Sequence, residues 1–202
     1  ILIFDECTTG FRRCNGGMHL LTGVEPDILM LGKALGNGYA ITAVIGKKNV
    51  MIKAEESFIS STFWTERIGP TAALKTIEVM EKKKHWNKIN ANGKKIMNIW
   101  KNTAKKYNLK IKVFGIPSLA KFTFSHNHNE LKTFMSQEFL KHGILASNNF
   151  YPCFSHNERI INKYKKVLNI VFKKISQSIK EQKELSELIE GEVSRTPFQR
   201  LN

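Results

Sequence analysis

Ile1-Leu2-Ile3-Phe4-Asp5-Glu6 and, further on, Asp27-Ile28-Leu29-Met30-Leu31-Gly32-Lys33-Ala34-Leu35-Gly36 decide the fold of this 202-residue chain. The apolar parts, Ile1 to Phe4 and Ile28 to Leu31, are short and uncharged, as a strand covered on both faces of a parallel sheet reads. Each run then delivers one ionisable residue, Asp5 or Lys33, at its far end, where open α/β sheets place their ligands. An ionised group taken out of water is costly unless it is matched, so a buried Asp5 and Lys33 are expected to hold something between them.

Working outward, Glu6 to Gly17 is polar and punctuated by Gly10, Gly16 and Gly17, which predicts a loop. His19 to Thr22 reads as a turn or short helix, closed by Gly23-Val24-Glu25-Pro26. After Lys33, a third β-type run, Ile41 to Ile45, completes an α/β sheet with irregular connections. Lys47 to Glu55 reads as a surface helix, and Phe58 to Arg67 as a loop rich in Ser, Thr and aromatics. Pro70 sits in the first-turn position that proline tolerates. Ala73, Leu74, Ile77 and Met80, then Ile89, Ile96, Met97, Trp100 and Ala104, recur at helical spacing and predict one long bent helix. The character changes near Lys84, which divides the chain into residues 1–84 and a small α+β domain at 85–202. In the latter, strands are expected at Lys110 to Phe114, Ala120 to Phe124 and Gly143 to Ala146, and a helix at Glu130 to His142. A last helix starts near Glu158 with Ile160, Tyr164, Val167, Leu168, Val171 and Ile175 on its buried side.

A hydrophobic content of 42% is enough for a packed core. The net charge of +15 makes nucleic acid an alternative partner. The excess is mostly Lys, rides with many Asn and is spread over the chain after Asn49, so a solvated helical surface is the simpler account and no nucleic-acid partner is expected. Cys7, Cys14 and Cys153 form no CxxC pair, which favours free thiols in a reducing, cytoplasmic setting. No run approaches the ~18 apolar residues of a membrane span. Because Ile1 already lies inside a strand-like run, an N-terminal portion is expected to be missing. His126 and His128 precede an amphipathic stretch and read as its polar cap rather than as metal ligands. The same reading applies to His156-Asn157-Glu158.

Singly, Asp5 reads as a cap or loop ligand and Lys33 as a surface charge. Together, at the ends of two adjacent strands, they suit a pyridine-ring aldehyde cofactor. A lysine amine condenses with the aldehyde, and a carboxylate opposite the ring nitrogen keeps that nitrogen protonated, so the ring accepts electrons.

Leu2-Ile3-Phe4-Asp5-Glu6 with Thr9-Gly10-Phe11-Arg12, then Gly23-Val24-Glu25-Pro26-Asp27-Ile28 and Leu31-Gly32-Lys33-Ala34-Leu35-Gly36-Asn37-Gly38, resembles the cofactor signature of class III pyridoxal-phosphate aminotransferases. Within that family the likeness is greatest to the glutamate-1-semialdehyde aminomutase-like branch. It is dense over residues 1 to about 80 and looser beyond, where Lys141-His142-Gly143-Ile144 and Phe198-Gln199-Arg200-Leu201 fit. The resemblance implies a fold-type-I transferase: the C-terminal part of a large cofactor domain with a parallel or mixed sheet, then the small C-terminal domain. It implies pyridoxal 5'-phosphate as cofactor, Lys33 as the Schiff-base lysine and proton carrier, Asp5 on the ring nitrogen, and Cys7 where a small aliphatic residue usually lies against the ring. It further implies a homodimer in which Thr62 reaches the neighbouring subunit's cofactor phosphate, with Thr65 the competing candidate. A small amino-group donor or acceptor would be the substrate, with the amino group moving between two molecules or within one. The family's N-terminal half, with its phosphate-binding turn and stacking aromatic, is not represented, so a non-catalytic remnant is the alternative reading.

Overall fold

The computed structural model describes residues 1–64 and 66–195. The chain forms two compact units, Ile1–Asn90 and Ala91–Asn202, and the division falls inside a helix.

In the first unit, β1 (Ile3–Asp5), α1 (His19–Thr22), β2 (Ile28–Leu31) and β3 (Ala43–Gly46) follow one another, with a short 3₁₀ turn at Lys33–Leu35. The sheet order is β1-β2-β3. β1 runs parallel to β2 with Ile3 opposite Ile28 and Asp5 opposite Met30. β2 is antiparallel to β3, with Leu31 opposite Ala43. A two-residue alternation along β2 turns Leu29 and Leu31 inward. They pack with Phe11, Leu35, Ala73 and Met80, and with the partly buried Phe4, Ile77 and Trp86. The expectation that the first strand is covered on both faces is not met. Among the described residues β1 pairs with β2 alone, and Ile3 is 53% exposed.

α2 (Lys48–Met51) and a 3₁₀ turn at Ile52–Glu56 occupy the predicted surface helix. α3 (Ile68–Lys83) begins under the Glu66 carboxylate, which accepts from the main-chain N–H of Ile68 and, at 3.0 Å, of Gly69. Acceptors there satisfy donors that the first turn leaves unpaired. The single bent helix expected after Pro70 is instead two helices. Lys84 adopts a left-handed conformation (φ 47°, ψ 45°) and donates its N–H to Met80, closing α3 before α4 (His85–Lys106) starts.

The second unit holds an antiparallel sheet of β4 (Ile111–Phe114), β5 (Ala120–Phe124) and β6 (Asn149–Phe150), with α5 (His128–Lys141) and α6 (Glu158–Lys180). β5 alternates in burial, and Ala120, Phe122 and Phe124 enter the core. α6 contributes Ile161, Tyr164, Leu168, Val171, Phe172 and Ile175 at helical spacing. Trp100 is fully buried and donates its indole N–H to the Tyr164 hydroxyl at 2.7 Å. Two expectations need correction. Gly143 to Ala146 is not a strand: the N–H groups of Gly143 and Ile144 bond back to Leu140 and Phe139, closing α5 and removing those donors from a ladder. The strand forms later, beside Asn148, whose side-chain amide donates to the Phe122 carbonyl. Ile160 is 38% exposed, because α6 turns Ile161 inward instead. Asn157 caps α6 by accepting from the Ile160 N–H at 3.1 Å, whereas Asn127 makes no such bond before α5. There, the His128 ring meets the Phe124 N–H.

Candidate active site

Asp5 is the last residue of β1. Lys33 follows the end of β2 by one glycine, so the parallel pairing delivers a carboxylate and an amine to the same edge of the sheet. Both side chains are exposed, a correction to the buried pair expected from the sequence. The apolar runs are read correctly as strands, but at this end of the sheet the two neighbouring strands open to solvent. Among the described residues Asp5 and Lys33 make no ion pair with each other or with a third group. Asp5 accepts from the Cys7 N–H at 3.2 Å, and the Lys33 ammonium donates to the Thr8 hydroxyl.

Cys7 is half-buried between them. Burial pushes its thiol above the ordinary value, a hydrogen bond to the Asp5 carboxylate and its charge push it further, and the Lys33 charge pulls it part of the way back. A thiol held protonated is a small, weakly polar wall and not a nucleophile. A side chain at Gly32 would meet Thr42 at 3.3 Å and the Cys7 sulfur at 3.6 Å, so the segment joining β2 to Lys33 is closely lined. Lys33 itself has a positive φ of 45°, uncommon for a residue with a side chain. The turn beyond it depends on Gly36, where a Cβ would lie 2.1 Å from the Tyr39 carbonyl. An open depression of about 470 Å³ adjoins the lysine, lined by Arg12, Lys33, Asn37 and Tyr39 among others. A larger cavity of 740 Å³ lies in the second unit and touches none of the candidate residues, so chemistry rather than volume selects the site.

Thr62 lies exposed in a turn and makes no hydrogen bond to Asp5, Cys7 or Lys33. Its neighbour Ser61 accepts from the Phe63 N–H at 3.2 Å. Thr65 and the segment Phe198 to Leu201 lie outside the described residues.

Sequence reasoning missed two residues. Glu6, 3% exposed, accepts from the Met18 N–H at 2.6 and 2.8 Å and from the Thr9 hydroxyl at 3.1 Å. His19 Nδ1 lies 3.9 Å from the same carboxylate. A buried carboxylate satisfied mainly by backbone and hydroxyl donors ties the whole loop from Cys7 to Met18 to the end of β1. Nothing in the sequence around Thr8 marks it; the folded chain brings its hydroxyl to the Lys33 ammonium.

The arrangement fits pyridoxal phosphate. Asp5 has acceptor capacity for a ring N–H, Lys33 offers an amine for an aldehyde, and the protonated Cys7 thiol adds no charge beside them.

These features, an aspartate and a lysine at the ends of adjacent parallel strands in an α/β unit followed in sequence by a second unit of α+β type, are those of a fold-type-I chain. Residues 1–160 match the class III aminotransferase family, and the chain belongs to it. It is 33% identical over 165 residues to 3-aminobutyryl-CoA aminotransferase of Cloacimonas acidaminovorans, covering 78% of this chain and 40% of the relative. It is 28% identical over 193 residues to glutamate-1-semialdehyde 2,1-aminomutase of Methanococcus maripaludis, covering 87% of this chain and 45% of the relative. Among solved structures, the PLP internal aldimine form of the Sphingopyxis sp. MTA144 FumI protein superposes with a TM-score of 0.83 at 19% identity, over 93% of this chain and 46% of that one. Plasmodium falciparum ornithine delta-aminotransferase superposes with a TM-score of 0.75 at 21% identity, over 88% of this chain and 48% of that one. The chain thus spans less than half the length of the proteins it matches. No helix among the described residues is long and apolar enough to cross a membrane.

Proposed function

We propose that the full-length protein is a pyridoxal-phosphate-dependent aminotransferase or aminomutase acting on a small amino or keto substrate. The observation that carries this reading is that Asp5 and Lys33 stand at one sheet edge with both functional groups exposed and neither neutralised by the other. When bound, the cofactor supplies an electron sink for breaking a bond to the substrate carbon that carries the amino group. Asp5 accepts the ring N–H and holds that proton in place. Lys33 would hold the cofactor through its amine and, once free of it, would serve as the base at the substrate carbon that carries the amino group. Cys7 would line one side of the bound cofactor and keep water from it. The reading covers transfer between two molecules and a shift within one, since relatives of both kinds align with the chain.

The same reading assigns residues 1–84 to the cofactor domain and 85–202 to the small domain. It makes the protein a homodimer in which Thr62 reaches the neighbouring subunit's cofactor phosphate; the exposure of Thr62, Phe63 and Trp64 supports that role. Three free cysteines support a reducing, cytoplasmic setting.

The test is chemical. Full-length protein incubated with pyridoxal phosphate and reduced with borohydride carries a label on the Lys33 peptide, and Lys33→Ala does not. Absence of label in the wild type, or its persistence in Lys33→Ala, overturns the reading and leaves the non-catalytic remnant.

A further inference from the structure

We propose that Thr8 is a positioning residue that keeps the Lys33 amine apart from Asp5 before the cofactor arrives. This rests on the reading of Lys33 as the cofactor-holding residue.

The parallel pair brings the two segments that make the contact to one end of the sheet. Ile3, Phe4 and Asp5 face Ile28, Leu29 and Met30, a constant offset of 25 residues, and the Glu6 N–H extends the ladder to the Met30 carbonyl at 2.9 Å. Beyond the strands both segments turn, and the Lys33 ammonium meets the Thr8 hydroxyl there. Thr8 is itself held on both sides. Arg12 Nε donates to its carbonyl at 3.3 Å, and Glu6 fixes the next residue through the Thr9 hydroxyl. Its β-branched side chain has few rotamers, which narrows where the hydroxyl can lie.

The problem this solves is electrostatic. Asp5 stands opposite Met30 across the parallel pair and Lys33 follows Met30 by three residues, so both groups lie at the same end of the two strands. A flexible four-carbon ammonium beside a carboxylate tends to pair with it, which would occupy the two groups the cofactor needs. A hydroxyl diverts the lysine at no cost in charge. It accepts from the ammonium and donates to the free amine, so the same contact serves both protonation states. The left-handed backbone at Lys33 sets where the stem starts, and Thr8 sets where it ends.

The experiment follows capture of pyridoxal phosphate by the cofactor-free full-length protein, using stopped-flow visible absorbance of the bound cofactor and a borohydride-trapped label on the Lys33 peptide. Thr8→Val is expected to slow capture by about fivefold to tenfold, the loss of one hydrogen bond to a charged group at an exposed site. Thr8→Ser should restore the rate to within about twofold, as a role resting on the hydroxyl requires. If Thr8→Val destabilises the protein, as read by thermal melting, Thr8→Ala replaces it with the same expectation. A Thr8→Val rate within twofold of wild type, or failure of Thr8→Ser to rescue, overturns the proposal. Lys33→Ala separates the two levels: if it still carries the label, the parent reading fails, whereas a label that depends on Lys33 but is indifferent to Thr8 removes only the role of Thr8.

Discussion

Replacing Glu6 should release the loop that carries Thr8 while leaving β1 in place. The Glu6 carboxylate is 3% exposed and accepts one main-chain N–H through both oxygens and one hydroxyl through one. In Glu6→Ala the Met18 N–H loses its acceptor in a site closed to water, at about 1–3 kcal/mol, and the vacated side-chain volume adds roughly 1 kcal/mol more. Relief from burying a charge offsets part of this, leaving a net local cost of about 2 kcal/mol. Glu6→Gln keeps one oxygen for the Met18 N–H and an amide for the Thr9 hydroxyl, and should cost about 1 kcal/mol. Amide hydrogen exchange of the peptide covering residues 7–22 measures this opening directly, apart from global unfolding. A cost of about 2 kcal/mol corresponds to roughly 30-fold faster exchange in Glu6→Ala, and the gain should be smaller in Glu6→Gln. Unchanged exchange in Glu6→Ala would show that the loop is held by its own turns, Gly10 to Glu6 and Phe11 to Gly16, and not by the carboxylate.

Gly93→Ala places a Cβ 1.8 Å from the Pro117 carbonyl oxygen. The gain in helix propensity of about 1 kcal/mol is then outweighed, and urea denaturation should show a net loss of about 1–3 kcal/mol. Trp100→Phe orphans the buried Tyr164 hydroxyl and empties part of the core, and should lower stability by about 2–4 kcal/mol. A double-mutant cycle with Tyr164→Phe should recover a coupling of about 1 kcal/mol. Burial pushes the Glu138 carboxyl up, but hydrogen bonds from Lys174 and Lys141 outweigh it and hold the group below its usual value of 4.5. A depressed carboxylate stabilises the fold above its unfolded pKa and stops doing so as pH falls through the folded one. The stability difference between wild type and Glu138→Gln should therefore be full near pH 6, shrink below about 4.5 and vanish at lower pH, as read by urea midpoints across that range.

The sequence made the strands around Asp5 and Lys33 legible because short apolar runs ending in a charge have few other meanings in an α/β fold. The helical spacing of Tyr164, Leu168, Val171 and Ile175 was equally plain. Burial of the two site residues could not be read there, since exposure at a sheet edge depends on which strands stand beside it. Thr8 and Glu6 were hidden for a different reason. A parallel register has no local signature, so the partner of Lys33 emerges only when the two strands are laid side by side. Gly143 to Ala146 has the composition of a strand, yet its first two N–H groups were already committed to ending α5. Ile160 and Ile161 are chemically the same, and a one-residue rotation of α6 decided which was buried.

The ladder between β1 and β2 has a consequence for how this site tolerates change. The distance from carboxylate to amine is set across the sheet by hydrogen bonds, not along the chain, so the 28 residues separating Asp5 from Lys33 are a loop length and not a chemical requirement. Residues inserted at the exposed Gly23-Val24-Glu25 connection lengthen the path without moving either group. One residue inserted within Ile28–Leu31 shifts every later position across the pleat and carries the lysine to the wrong side of its partner. Relatives of this protein should accordingly vary in loop length at the first place and hold a fixed count at the second.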